Sequence, residues 1–129
     1  MKLNPDCVRS ILLAVEALSI NEYYTVKELC EKIPQHSVDD IRYNVVKLHE
    51  AGYLIADVWG DLPPVPGVYG VYDITFSGHE FLNSIRSDTN WAKIKSVAKK
   101  VGAVSLKTIG QIAQTVIATA VTAVLQSNQ

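Results

Sequence analysis

Between residues 37 and 75 the apolar positions change period once. Val38, Ile41, Val45 and Leu48 recur at the spacing of one helical face, and Gly52 supplies the left-handed residue that most often closes a helix. From Tyr53 the pattern becomes that of two short strands, Tyr53–Trp59 and Val68–Ile74, with Val71 and Ile74 as the inward positions of the second. The segment between them, Gly60 to Gly67, contains Pro63, Pro64 and Pro66, which lack the amide that a sheet interior needs. The periodicity predicts a helix followed at once by a two-stranded hairpin, which is the end of a winged helix.

The preceding residues supply the rest of such a domain. Asn4-Pro5-Asp6 is a helix start: Asn caps free amides, Pro is tolerated at the first helical position, and an early acid complements the macrodipole. Val8, Ile11, Leu12, Val15 and Leu18 then mark one face, and the helix is expected from Pro5 to Leu18. After a short connection over Asn21–Tyr24, Thr25 and Glu28 have the spacing of a capping box. Val26, Leu29, Cys30 and Ile33 are expected to point inward, and Pro34 ends this second helix. Ser37 caps the third, with Asp40 at its third position; the spacing from Thr25 to Gly52 suits a helix-turn-helix.

Beyond the hairpin, Thr75 or Ser77 caps a fourth helix; Ser77 and Glu80 have a second capping-box spacing, and Phe81, Leu82 and Ile85 form its stripe. It is expected to close near Arg86, before a polar break at Ser87–Asn90. Trp91, Ile94, Val97, Ala98 and Val101 then line one side of a lysine-rich helix that Gly102 terminates. A last helix from about Ser105 places Leu106, Ile109, Ile112, Ala113, Val116, Ile117, Ala120, Val121 and Val124 on a broad apolar face. Opposite lie Lys107, Gln111, Gln114, Thr115, Ala118 and Thr122. Ser105 to Leu125 would span roughly 31 Å at 1.5 Å per residue, and such a face needs a partner. The expected architecture is mainly α with a small β-hairpin wing: a winged helix-turn-helix over residues 4–87, then two C-terminal helices over 88–129.

Composition adds a class and charge adds a division. The 48% apolar and 19% charged residues of this 129-residue chain are those of a folded globular protein, with room for one compact domain and an appendage. The N-terminus reaches charged residues before any long apolar run, so no signal peptide is expected and the cytoplasm is the default location. Cys7 and Cys30 lack metal or redox spacing and read as small buried hydrophobes; a disulfide between them stays open, although a reducing compartment opposes it. Residues 1–90 carry seven Lys and Arg against thirteen Asp and Glu, a balance of −6, whereas residues 91–129 carry five lysines and no acid. That segregation concerns partners and not the fold.

Two resemblances bear on function. The run from Ile41 to Ile55, IRYNVVKLHEAGYLI, is similar to the segment joining recognition helix to wing in bacterial winged-helix regulators of the PadR, ArsR and MarR families. More closely, Met1–Arg9, Tyr53–Ile55, Ile74–Leu82 and Asn90–Lys95 together resemble a small bacterial and prophage family catalogued as a domain of unknown function. The resemblance covers nearly the whole chain and implies a prophage-associated winged-helix-like protein. It brings no activity with it.

The leading expectation is a small DNA-binding regulator that acts as a homo-oligomer. Arg42, Tyr43, Asn44 and Lys47 of the third helix would reach bases or backbone in double-stranded DNA, with the Val58–Tyr69 wing along the backbone. Lys93, Lys95, Lys99 and Lys100 would contact phosphates, or else solvate a helix face or pair with the acidic domain. Ile109, Ile112, Val116, Ile117, Ala120, Val121 and Val124 would mediate association and fix half-site spacing. However, the outward residues expected on the third helix, Asp39, Tyr43, Val46, Lys47 and Glu50, include acids that phosphate would repel. A protein-interaction module that binds a basic host or phage protein is therefore the alternative. A third reading is a membrane-associated effector, because no charge occurs from Thr108 to Gln129, but Thr108, Gln111, Gln114, Thr115, Thr119 and Thr122 favour helix packing over a span. His36, His49 and His79 share no ligand spacing, and no nucleotide loop or nucleophile arrangement is visible, so neither cofactor nor enzyme activity is expected. Trp59 and Trp91 read as packing anchors; Tyr69 and Tyr72 read as cross-strand packing or partner contacts.

Overall fold

The computed structural model describes residues 2–59, 67–102 and 105–127. They form six helices and one hairpin in the order α1 (Pro5–Glu16), α2 (Val26–Lys32), α3 (Val38–Glu50), β1 (Leu54–Trp59), β2 (Gly67–Ile74), α4 (Phe76–Ile85), α5 (Asp88–Val101) and α6 (Leu106–Ser127). The protein is thus mainly helical with a small β-hairpin wing, and it divides into two compact units, Met1–Leu82 and Asn83–Gln129.

In the first unit the capping residues set the helix starts. The Asn4 side chain accepts from the Cys7 amide at 3.1 Å, and Ser37 accepts from the Asp40 amide at 3.1 Å. At α2 the Thr25 hydroxyl accepts from the Glu28 amide while the Glu28 carboxylate accepts from the Thr25 amide, both at 3.2 Å, so two otherwise orphaned donors are satisfied reciprocally. α1 stops at Glu16, two residues before the expected Leu18, because Ala17 and Leu18 turn back onto the carbonyls of Ala14 and Val15. α3 ends as predicted. Gly52 has φ +79°, its amide donates to the His49 carbonyl, and the Tyr53 amide donates to the Leu48 carbonyl at 2.9 Å. These two bonds turn the chain directly from α3 into β1.

β1 and β2 are antiparallel, with Leu54 opposite Ile74 and Ile55 opposite Asp73, but the register then shifts so that Ala56 faces Val71 and Asp57 faces Gly70. A third extended segment joins β2 on its other side. Tyr24 exchanges both backbone hydrogen bonds with Val71, at 2.9 and 2.8 Å, in the stretch read from sequence as a plain connection. The order α1, α2, α3, β1, β2 is the one expected from the sequence, with the Tyr24 bridge added. The tip of the wing, residues 60–66, lies outside the described residues.

The core collects Ile11 and Leu12 from α1, Leu29 from α2, Ile41, Val45 and Leu48 from α3, and Val71 from β2, all with essentially no exposure. Two α3 expectations are reversed. Val38, expected inward, is exposed in the first turn; Val46, expected outward, is buried. α3 packs against α1 and α2 and also against both strands, so more than one of its faces is covered. α4 is capped by Thr75, whose hydroxyl accepts from the Gly78 amide at 3.0 Å and donates to the Gly52 carbonyl at 2.5 Å. Ser77 lies inside that helix, past the cap position.

In the second unit α5 begins at Asp88, with the Ser87 hydroxyl accepting from the Asn90 amide at 3.3 Å. The expected polar break is therefore the first turn of a helix. Gly102, at φ +76°, closes it as the sequence predicts. α5 packs on α6, and Trp91, Ile94, Ala98, Ile109 and Ala113 are buried in this unit. Val97 and Val101, expected on the same stripe, are exposed.

Candidate interaction surfaces

On the solvent side of α3 the cations are closed in ion pairs. The Arg42 guanidinium lies 3.5 Å from an Asp39 carboxylate oxygen and the Lys47 ammonium 3.0 Å from one of Glu50. The same ammonium is 5.3 Å from the centre of the Tyr43 ring. Its hydrogen bond to Glu50 raises the Lys47 pKa above the ordinary lysine value, so the charge is held but shared. Both pairs are exposed and individually weak. Their effect is to present alternating sign where a groove-reading helix presents free donors.

Asn44 does not belong to this face. It is fully buried, donating from Nδ2 to the Asp40 carbonyl at 2.7 Å and accepting at Oδ1 from the Asn4 amide at 3.1 Å. The expected contact to DNA is corrected to a structural one: Asn44 holds the residue that caps α1. Arg42, Tyr43 and Lys47 remain accessible, each half-buried.

The outer side of the hairpin is aromatic. Trp59 and Tyr69 stack with ring centroids 4.2 Å apart, Tyr23 and Tyr72 meet at 5.4 Å, and the Tyr72 hydroxyl donates to Asp57 at 2.7 Å. That bond raises the Tyr72 pKa above its ordinary value, because it favours the protonated phenol. Tyr23 was not singled out from sequence; its position next to the bridging Tyr24 brings it to this side.

Val26 and Cys30, expected inward, line an open apolar groove of about 570 Å³ with Pro34 and the exposed Val38. Cys7 and Cys30 are both free thiols, Cys7 fully buried and Cys30 half-buried. No cluster of three or more His, Cys, Asp and Glu suited to a metal occurs among the described residues.

In the second unit Lys93, Lys95, Lys99 and Lys100 are all exposed, on the side of α5 away from Ile94. Lys95 also lies 5.8 Å from the Trp91 ring centre. Along α6 only Ile109 and Ala113 are buried. Ile112, Val116, Ile117 and Ala120 are half-buried, and Val121, Val124 and Leu125 are exposed. Ile117, Ala120, Val121, Val124 and Leu125 border a shallow groove of about 400 Å³ together with Asn83 and Asn90. The hydroxyls of Thr115, Thr119 and Thr122 donate to carbonyls four residues back, at 3.4, 3.1 and 2.9 Å, which removes polar donors from the helix surface. By length and composition α6, with mean hydropathy 1.5, is long and apolar enough to cross a membrane.

Residues 2–105 match the family model described as "Hypothetical protein (DUF2513)". A protein of Haemophilus influenzae (strain Rd), titled "Uncharacterized protein", is 32% identical over 118 residues, covering 91% of this chain and 96% of the relative. No solved structure matches.

Proposed function

The chain belongs to the DUF2513 family, and we propose that it is a cytoplasmic, prophage-type protein-interaction module, an acidic winged helix that binds a basic protein and associates with itself through α6. The observation that carries this reading is the closure of Arg42 and Lys47 by Asp39 and Glu50 on the presented side of α3. Residues 1–82 contain six Lys and Arg against twelve Asp and Glu, so the domain around that helix has a balance of −6. Phosphate would meet repulsion from the whole unit; a cationic protein would meet attraction.

The DNA-binding reading keeps one specific support, the exposed lysines of α5, and the likeness of Ile41–Ile55 to PadR-, ArsR- and MarR-type regulators accords with it. In that reading Lys93, Lys95, Lys99 and Lys100 neutralise phosphates while Arg42, Tyr43 and Lys47 face the groove.

Fluorescence anisotropy of the full-length protein with mixed-sequence duplex DNA, over a salt series, separates the two. The interaction reading expects no binding at low salt, or weak binding unchanged by Arg42→Glu with Lys47→Glu. Tight binding that falls steeply with salt and is abolished by those two changes would overturn it and establish DNA binding through α3.

A further inference from the structure

The hairpin holds aromatic surface that no core uses. Ile55, Trp59, Tyr69, Tyr72 and Tyr23 are respectively 51%, 48%, 63%, 38% and 51% exposed, yet the rings are ordered into the two pairs described above. Glycine makes this possible. Gly67 lies opposite Trp59 in the register, and a Cβ there would fall 1.8–2.1 Å from three atoms of the indole ring. A Cβ on Gly70 would lie 3.0 Å from the Tyr72 hydroxyl and 3.4 Å from the Tyr23 ring. The rings therefore lie close against glycine backbone, as when an aromatic side chain covers a glycine in a sheet, and their remaining surface faces water.

The charged residues of the two strands are both acidic. Asp57 is held at the centre by the Tyr72 hydroxyl, Asp73 is exposed on the same strand as Tyr72, and neither strand contains Lys or Arg. Tryptophan and tyrosine are among the side chains most enriched where binding energy concentrates, and their faces attract guanidinium and ammonium groups. A phosphate backbone would be repelled by the two aspartates. A cationic side chain is attracted by rings and carboxylates together.

We propose that the outer face of the hairpin docks an arginine- or lysine-bearing segment of a partner protein, the cations lying over Trp59, Tyr69 and Tyr72 beside Asp57 and Asp73. This names the partner chemistry of the interaction reading above and rests on it. Tyr23 and Ile55 supply apolar surface at the edge of the contact.

The test is titration of the full-length, nitrogen-15-labelled protein with an octapeptide of alternating arginine and glycine, at physiological salt to screen diffuse attraction. The expected result is saturable movement of the Trp59 indole and of the Gly67 and Gly70 amides. Trp59→Ala with Tyr69→Ala should weaken binding at least tenfold. Glu28→Gln with Glu31→Gln, which removes two acids from α2, should change it less than twofold. Shifts spread evenly over the acidic surface, or equal losses in both variants, would overturn the proposal. So would light scattering in which the aromatic variant alone converts an oligomer to a monomer, since the face would then hold a second copy. Duplex binding through Arg42 and Lys47 sinks the interaction reading, whereas a silent peptide titration sinks this face and leaves that reading standing.

Discussion

Replacing Asn44 by alanine tests whether that residue is part of a binding face or part of the core. In the structure its side chain accepts from the Asn4 amide, donates to the Asp40 carbonyl and also bonds the Cys7 side chain, with no exposure to water. Asn44→Ala leaves the Asn4 amide without its acceptor, at about 1–3 kcal/mol, and removes one ordinary hydrogen bond from the Asp40 carbonyl, at about 1 kcal/mol. The sum is about 3 kcal/mol, which for a unit of this size lowers Tm by about 12–24 °C. Urea and thermal unfolding followed by far-ultraviolet circular dichroism measure it directly. Asn44→Asp refines the test: the new carboxylate still accepts from Asn4 but faces the Asp40 carbonyl without a proton to donate. Burial disfavours its charged form. Stability of that variant should therefore be closest to the parent in acid and fall as pH rises. A loss below 1 kcal/mol for Asn44→Ala would refute the structural role, and would return Asn44 to the exposed face of α3.

Other changes probe the remaining parts of the molecule. Gly78→Ala should cost about 1–3 kcal/mol in urea unfolding, because its Cβ would sit 2.2 Å from the Tyr53 carbonyl oxygen and 2.6 Å from Ile74 Cγ2, and backbone cannot swing aside. Cys7 has no exposure and a pKa pushed up to about 12, first by burial and then by Asp40, whereas Cys30 is half-buried and raised chiefly by burial. A thiol reagent at pH 8 should modify Cys30 first and Cys7 only on unfolding; equal rates would contradict the placement. Because Cys7 binds its proton more tightly when folded, the stability it contributes is complete below its unfolded pKa of about 9 and declines as pH rises toward 12. Urea midpoints at pH 8 and pH 10 check this, with a flatter profile expected for Cys7→Val. Val121→Glu with Val124→Glu should disperse the full-length protein to monomers in sedimentation while helicity is retained. Parent protein that pellets with liposomes and loses this with the same two changes would assign α6 to a bilayer.

Most of the helix boundaries were legible because they rest on local chemistry. Asn4, Thr25, Ser37 and Gly52 each act within a few residues of themselves, so their roles follow from spacing alone. What escaped depends on residues far apart in the chain. Tyr24 is extended because Val71, 47 positions later, supplies its hydrogen-bonding partner. Val46 is buried on a helix that packs against α1, α2 and both strands, whereas a single-face pattern leaves it to solvent. Asn44 is polar and was expected among the groups that reach DNA; only the return of Asn4 against α3 completes its hydrogen bonds. The aromatic face had the same limit. Tyr69 and Tyr72 stood out on the wing, but Tyr23 joins them through the bridge, and Gly67 and Gly70 gain meaning only when the strands pair.

Charge gives these surfaces a common logic. A winged helix that reads DNA must carry net positive potential on the side that α3 and the wing share. Here the ion pairs of α3 cancel the charge of Arg42 and Lys47, and Asp57 and Asp73 on the strands and the −6 balance of residues 1–82 act in the opposite direction. The positive charge of the chain is placed instead in residues 83–129, where six Lys and Arg oppose Asp88 alone. A fold fixes where side chains are presented; it does not fix their sign. In this chain the balance over residues 1–82 is −6, and the interaction reading proposed above rests on that sign, with the aromatic rings of the hairpin as the contact it proposes.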